Sequence, residues 1–428
     1  MKIIISKLNL FSYENKLLLL LFCVFGCVFV DRLPLSFLFP MMSDELNLTN
    51  AHLGMLSAIL ALCWALSGAG LGAISDRFNI RKPMLVICVA MFSVFSGLSG
   101  IVSSFALLLV FRALMGIAEG PVLPISQSLM LEASQVKRRG LNMGLVQATA
   151  PGLLGAIIAP PLIIMIALDY GWRNAFYITV IPGLILAFLI YKLVKINGNK
   201  NLTTDIADSK FEKNEKEIAK TSYKEICKNK NVILCIFISC FFVTWFILIV
   251  TFTPTFLVKE RGFSEQSMGL IVSAIGFAWV FWGTVIPAIS DRLGRKPILI
   301  FFSLIAMSCP LFLCYINNPF LLGIIVFLTY TGMGCFTLFM ATIPSETVSR
   351  TMIASTLGLI MGIGEFIGGF VAPFTAGFIA DNYGLASPLL IASVGALLSC
   401  ILACFLKETA PLVIAKRTQS KSMPITGE

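Results

Sequence analysis

Long apolar runs alternate with short polar connections along the chain. Each run is about as long as the ~20 residues a helix needs to cross a hydrocarbon core of ~30 Å. The pattern predicts crossings at 16–40, 52–74, 83–103, 105–131, 140–166 and 173–194, then at 231–257, 266–289, 297–316, 319–345, 353–380 and 385–406. Residues 195–230 break the pattern. They are polar and rich in both charge signs, and read as a linker with some helical content. The prediction is an all-α membrane protein of twelve transmembrane helices. Six lie in residues 1–194 and six in 231–406, with a cytoplasmic linker at 195–230 and a cytoplasmic tail at 407–428. The first apolar run lacks a small-residue cleavage site and exceeds signal-peptide length, so it is expected to remain as the first helix.

Composition agrees with this pattern. Hydrophobic residues make up 57% of the chain and charged residues 13%, too few to cover a soluble protein of this size. Mean hydropathy is +0.91. The net charge of +10 marks topology rather than a nucleic-acid partner, because the basic residues are not gathered on one soluble domain. Lys and Arg concentrate before the first run, at 76–82, 136–140, 192–230 and 291–296, and after residue 407. The intervening connections are poor in them, which places both termini in the cytoplasm. Twelve cysteines sit almost entirely within apolar spans, with no metal-ligand spacing, and read as packing residues.

The two halves repeat. At an offset of 215 residues, Gly54, Trp64, Gly68, Asp76 and Arg77 fall on Gly269, Trp279, Gly283, Asp291 and Arg292. At an offset of 214, residues 144–155 fall on 358–369, with Glu365 where the first copy has Pro151. Parallel repeats of six spans with a site at their interface are a secondary-transporter design. The repeated Asp-Arg-x-x-x-Arg-Lys element resembles the loop signature of the major facilitator superfamily, and the resemblance covers essentially the whole chain. It implies the major facilitator fold, two pseudo-symmetric bundles, and a cytoplasmic gate built from Asp76, Arg77, Arg81, Asp291, Arg292 and Arg295. Physically, an acidic helix end beside a basic turn can pair across the seam between the halves. Asn79 replaces the family's usual Gly in the first copy, and Asn tolerates the left-handed turn next best.

Charges inside the spans are the candidate chemistry. Asp31, Glu119 and Glu365 lie near the middle of theirs, as do Arg32 and, about two turns from Glu119, Arg112. A charge at such a depth costs ~2.5–3.5 kcal/mol on insertion scales. Asp31 and Arg32, as helix neighbours, point in different directions and cannot be each other's main partner. Both are expected to face a central aqueous cavity. A guanidinium stays charged and forms bidentate pairs, so Arg32 suggests an anionic substrate. A buried carboxyl poised between desolvation and a nearby cation can load and release a proton, which suggests Asp31, Glu119 and Glu365 for proton coupling. Gln147 is a further substrate-binding candidate, and Arg112 a basic residue without substrate specificity. Residues 31–48 and 111–124 resemble the first- and fourth-helix signatures of the anion:cation symporter branch, whose members carry sugar acids, other organic anions or phosphate. The resemblance implies that Arg32 binds a substrate carboxylate while Asp31 and Glu119 carry protons. Val28 and Phe29 stand where that branch commonly has Asn-Tyr.

The expected function is therefore proton symport of a small organic anion by alternating access, across a bacterial-type inner membrane. The expected partners are the anion, protons and the lipid bilayer, with no nucleic acid and a monomeric state. No cofactor, metal site or catalytic cluster is expected, and no phosphate-cradling glycine loop is present. Aromatic residues read as packing, and His52 lies too far toward a span end to relay protons at mid-membrane. The alternative is proton-coupled efflux of a drug-like or lipid-like amphiphile, since DRFNIRK also resembles the spinster-type lipid carriers.

Overall fold

The computed structural model describes residues 12–78, 80–135, 138–195, 229–349, 352–411 and 413–414. Residues 196–228 of the expected linker, the turn at Asn79, the side chain of Asp76 and most of the expected tail lie outside the described residues. Twelve helices among them are long and apolar enough to span a membrane. The first six are α1 (Tyr13–Met42), α2 (Asn50–Arg77), α3 (Arg81–Ile101), α4 (Phe105–Ala133), α5 (Leu141–Tyr170) and α6 (Trp172–Leu193). The second six are α7 (Lys230–Glu260), α8 (Glu265–Leu293), α9 (Arg295–Tyr315), α10 (Pro319–Thr347), α11 (Ser355–Tyr383) and α12 (Ala386–Cys404).

Local chemistry sets the ends. Ser12, Ser104, Ser264 and Asn318 cap α1, α4, α8 and α10 by accepting a hydrogen bond from a first-turn amide, at 3.0–3.3 Å. The α5–α6 and α11–α12 turns use Gly171 (φ 87°) and Gly384 (φ 90°), a left-handed conformation that glycine adopts without penalty. Several helices are interrupted at mid-span. α1 bends at Leu33 before Pro34, α4 breaks at Gly120–Pro121 directly after Glu119, and α10 breaks at Tyr330–Thr331. Widened π-type turns occupy Pro151–Ile158 of α5 and the repeat-related Glu365–Val371 of α11. Such turns displace the backbone locally and often occur at functional positions.

The halves meet along two related seams, α2 against α11 and α5 against α8. Gly54 on α2 has no room for a Cβ beneath the Pro373 carbonyl, and Gly276 on α8 none beside Ala156. Small residues let these backbones approach closely. The face carrying the α1–α2 and α7–α8 turns, distal to the chain termini, is sealed across the seam. The Asp381 carboxylate at the end of α11 accepts hydrogen bonds from the Asn50 and Ala51 amides, at 2.8 and 2.9 Å. Those amides are unsatisfied within their own helix and carry the positive end of its dipole. Lys259 of α7 pairs with Asp44 at 2.5 Å, again between halves.

The terminal face is built differently. Arg81 pairs with Glu132 within the first half. Arg295 pairs with Asp291 at 2.5 Å and Glu346 at 2.9 Å within the second, where Glu408 also accepts from the Arg295 amide at 2.8 Å. Arg77 and Arg292 are exposed. The pairing across the seam expected of these elements is not seen among the described residues in this conformation. In this conformation the ion pairs of Arg295 and the Arg81–Glu132 pair brace each half separately.

Asp381→Asn weakens two charge-assisted hydrogen bonds worth ~1.5–3 kcal/mol each. In a background without reactive native cysteines, a cysteine at Ser57 should then react roughly tenfold faster with a bulky reagent applied from the distal face; an unchanged rate would mean the seal does not depend on Asp381. Hydrogen bonds from Trp172 Nε1 (2.7 Å) and Arg173 Nη1 (2.5 Å) hold the Glu45 carboxyl below its ordinary value. That contribution is present above the ordinary carboxylate range and is lost as pH falls through the depressed value. Glu45→Gln should lower the melting temperature slightly at neutral pH, with the difference closing in acid.

Candidate functional site

Between the halves lies a cavity of about 160 Å³, walled by α1, α2, α4, α5, α7 and α11. Arg32 enters it from the bend of α1. Because the Ser36 amide turns back to the Leu33 carbonyl (3.0 Å), the Arg32 carbonyl loses its usual helical partner, and Arg112 Nη1 donates to it at 3.0 Å. This contact ties α4 to the break in α1. The Arg32 guanidinium itself has no hydrogen bond or ion pair among the described residues. Its carbon lies 5.9 Å from the centre of the Phe29 ring.

The adjacent carboxyl goes elsewhere. Asp31 is 0% exposed and points into the first half, where Oδ2 accepts from Ser93 Oγ (3.3 Å) and Cys27 Sγ (3.8 Å). Oδ1 has no partner among the described residues. Beside it, the Ser96 and Thr179 hydroxyls are 2.9 Å apart. Glu119, also 0% exposed, closes the first segment of α4, and neither of its oxygens is hydrogen-bonded among the described residues. Arg112, 1% exposed, keeps Nε and Nη2 unpaired as well. Asp31, Arg32, Arg112 and Glu119 nonetheless lie within one another's electrostatic reach. The expectation that Asp31 shares the cavity with Arg32 is therefore corrected. One helical step of about 100° sends Arg32 to the cavity and Asp31 into the bundle, and Glu119 too lies outside the lining.

Gln147 does line the cavity, with Oε1 accepting from Gln127 Nε2 at 3.0 Å. Glu365 lines it from the opposite half, half-buried, and takes no hydrogen bond among the described residues. A Cβ at position 369 would lie 2.8 Å from Glu365 Oε2, so Gly369 leaves the space that this carboxyl uses. The structure thus brings Arg32, Arg112, Gln147 and Glu365 to one cavity and leaves Asp31 and Glu119 behind its wall.

Sequence reasoning missed the apolar side of the site. Phe25, Phe29, Trp64 and Phe246 form much of the wall. Trp279 fixes Phe29 and Phe246 edge-on, with ring centres 5.8 and 5.2 Å away. The alignment of Trp64 with Trp279 was the available signal, since both sit at the seam. Ser57 and Thr251 meet across the cavity at 3.4 Å. His52 stacks on Phe105 at 4.0 Å near the distal face, far from these charges.

Two six-helix halves around a central cavity with buried ionisable groups define a membrane transporter rather than an enzyme. Residues 17–373 match the Major Facilitator Superfamily, and the chain belongs to that family. It is 28% identical over 309 residues to the hexuronate transporter of Bacillus subtilis (strain 168), covering 69% of this chain and 70% of that protein. It is 23% identical to the "Probable galactarate/D-glucarate transporter GarP" of Escherichia coli (strain K12), covering 91% and 93%. Among solved structures, a bacterial homologue of the human lysosomal transporter Spinster superposes with a TM-score of 0.69 at 16% identity, covering 97% of this chain and 99% of that one.

Arg112 and Glu119 form no ion pair among the described residues, but each lies in the other's field, which predicts that these two buried charges are coupled. Removing one of them leaves the other uncompensated, which is costly. Arg112→Ala should lower the melting temperature sharply, and adding Glu119→Gln should recover part of the loss. Additive losses would show that the two side chains act independently.

Proposed function

We propose that this protein is a secondary transporter of a small organic anion, a carboxylate or sugar acid, working by alternating access as a proton symporter. The observation that carries this reading is the guanidinium of Arg32, unpartnered among the described residues, in the cavity between the halves. Burying a guanidinium without a counter-ion is costly, and a carboxylate matches its donor geometry in a bidentate pair. The names of the relatives, a hexuronate transporter and a galactarate/D-glucarate transporter, support an organic acid as cargo. Gln147 offers an amide to the same ligand. Asp31, Glu119 and Glu365 are the proton-carrying groups.

In this reading the protein works as a monomer in a bacterial-type inner membrane, with both termini, the 195–230 linker and the 407–428 tail in the cytoplasm. The sealed distal face is then external, and import is the direction of work. Asp76, Arg77, Arg81, Asp291, Arg292 and Arg295 form the cytoplasmic gate, which exchanges pairs within each half for pairs across the seam when the cytoplasmic side closes.

The aromatic wall favours a second reading, efflux of an amphiphile whose apolar body rests on Phe25, Phe29 and Phe246. Arg32→Ala separates the two. Two charge-assisted hydrogen bonds at ~1.5 kcal/mol each correspond to at least roughly a hundredfold in affinity. Organic-anion binding, followed by thermal stabilisation of the purified protein, should therefore be lost in Arg32→Ala and only partly kept in Arg32→Lys, which lacks the planar fork. Stabilisation by uncharged amphiphiles that survives Arg32→Ala would instead establish the efflux reading.

A further inference from the structure

Arg32 on α1 and Glu365 on α11 face the same cavity from opposite halves, and neither side chain is hydrogen-bonded or ion-paired to protein among the described residues. Each lies in the other's field, but they are not in contact. Glu365 is the only ionisable residue between positions 352 and 380, so α11 offers it no partner of its own. The other elements packed on its widened turn are α2 and α7. α7 directs the Cys240 thiol to the Ile363 carbonyl at 4.0 Å, while α2 turns Cys63 toward Gly116 and carries His52 near the distal face. The charges facing Glu365 are therefore Arg32 and Arg112, across the cavity.

The charge count constrains what this arrangement can hold. The centre contains two guanidinium groups, Arg32 and Arg112, and three carboxyls, Asp31, Glu119 and Glu365. In a site poor in solvent, two negative charges balance the two positive ones, whether they belong to carboxylates or to a bound anion. Bringing in one negative charge thus requires one carboxyl to take up a proton. Asp31 and Glu119 are fully buried outside the lining, whereas Glu365 shares the cavity with the incoming anion and would repel it if ionised.

We propose that Glu365 is the competing anion of the empty site: its protonation removes the negative charge that opposes a substrate carboxylate arriving at Arg32, and one proton is taken up for each negative charge loaded. This rests on the reading of Arg32 as the anion-binding group. It places the proton that enters with the substrate on the second half, opposite the substrate's own anchor. Loading would then neutralise the carboxyl that the second half presents to the cavity, and the halves could close around a balanced pair.

The test is binding of D-glucuronate and, separately, of benzoate to the purified full-length protein across the acidic-to-neutral range. Uptake of one proton per bound charge predicts an affinity that rises about tenfold for each pH unit lowered while Glu365 is ionised in the empty protein. Glu365→Gln should bind the same probe with little dependence on pH, and Glu365→Asp should restore the slope, which separates loss of the titrating group from damage to the fold. A Glu365→Gln protein that keeps the wild-type slope would overturn the proposal while leaving Arg32 as the anion site, and would move the coupling to Asp31 or Glu119. If neither probe binds in a way that Arg32→Ala abolishes, the reading of the site fails, and this inference fails with it.

Discussion

Charge buried where water is scarce is the constraint on which the rest of this structure depends. Each ionised group in the centre needs a counter-charge, a hydrogen-bond partner or a wet cavity. Arg112 obtains a partner by bonding the carbonyl that the bend in α1 leaves free. Asp31 obtains one in the hydroxyl of Ser93. Arg32 and Glu365 have none among the described residues and open onto the cavity instead. The interruptions of α1, α4 and α11 all fall at or beside one of these groups, which links the irregular backbone to the charges it serves.

The two faces of the molecule differ in how they use the same kind of chemistry. At the distal face, backbone amides at the start of α2 and the carboxylate of Asp381 join the halves, alongside the Lys259–Asp44 pair. At the terminal face, the Arg295 network and the Arg81–Glu132 pair stay within their halves. In the alternating-access reading proposed above, rocking of the halves about a fixed central site would draw on such contacts at both faces and on close, small-residue seams between them. Gly54 and Gly276 supply those seams.

Much of the fold was legible because the signals were long. Twelve apolar runs and a duplicated Trp and Asp-Arg pattern specify twelve spans in two related sets. Arg32 and Glu365 were legible as candidates because a charge in an apolar run is rare. Which way each charge points was not legible: adjacent positions on a helix differ by about 100°, and only the packing of α3 and α6 decides that Asp31 turns inward. The Asp381 seal left no mark in sequence, since its partners are backbone amides some 330 residues away that any residue could provide. The apolar wall was hidden for a simpler reason, because Phe and Trp in a membrane helix look the same whether they line a cavity or fill a core.

Accumulation in proteoliposomes tests the central claim most directly. Uptake of radiolabelled carboxylates, D-glucuronate and benzoate among them, would be followed with an imposed pH gradient and again after a protonophore collapses it. The account predicts that a carboxylate is concentrated above its external level only while the gradient persists. Equal uptake with and without the gradient, or transport confined to uncharged amphiphiles, would contradict it.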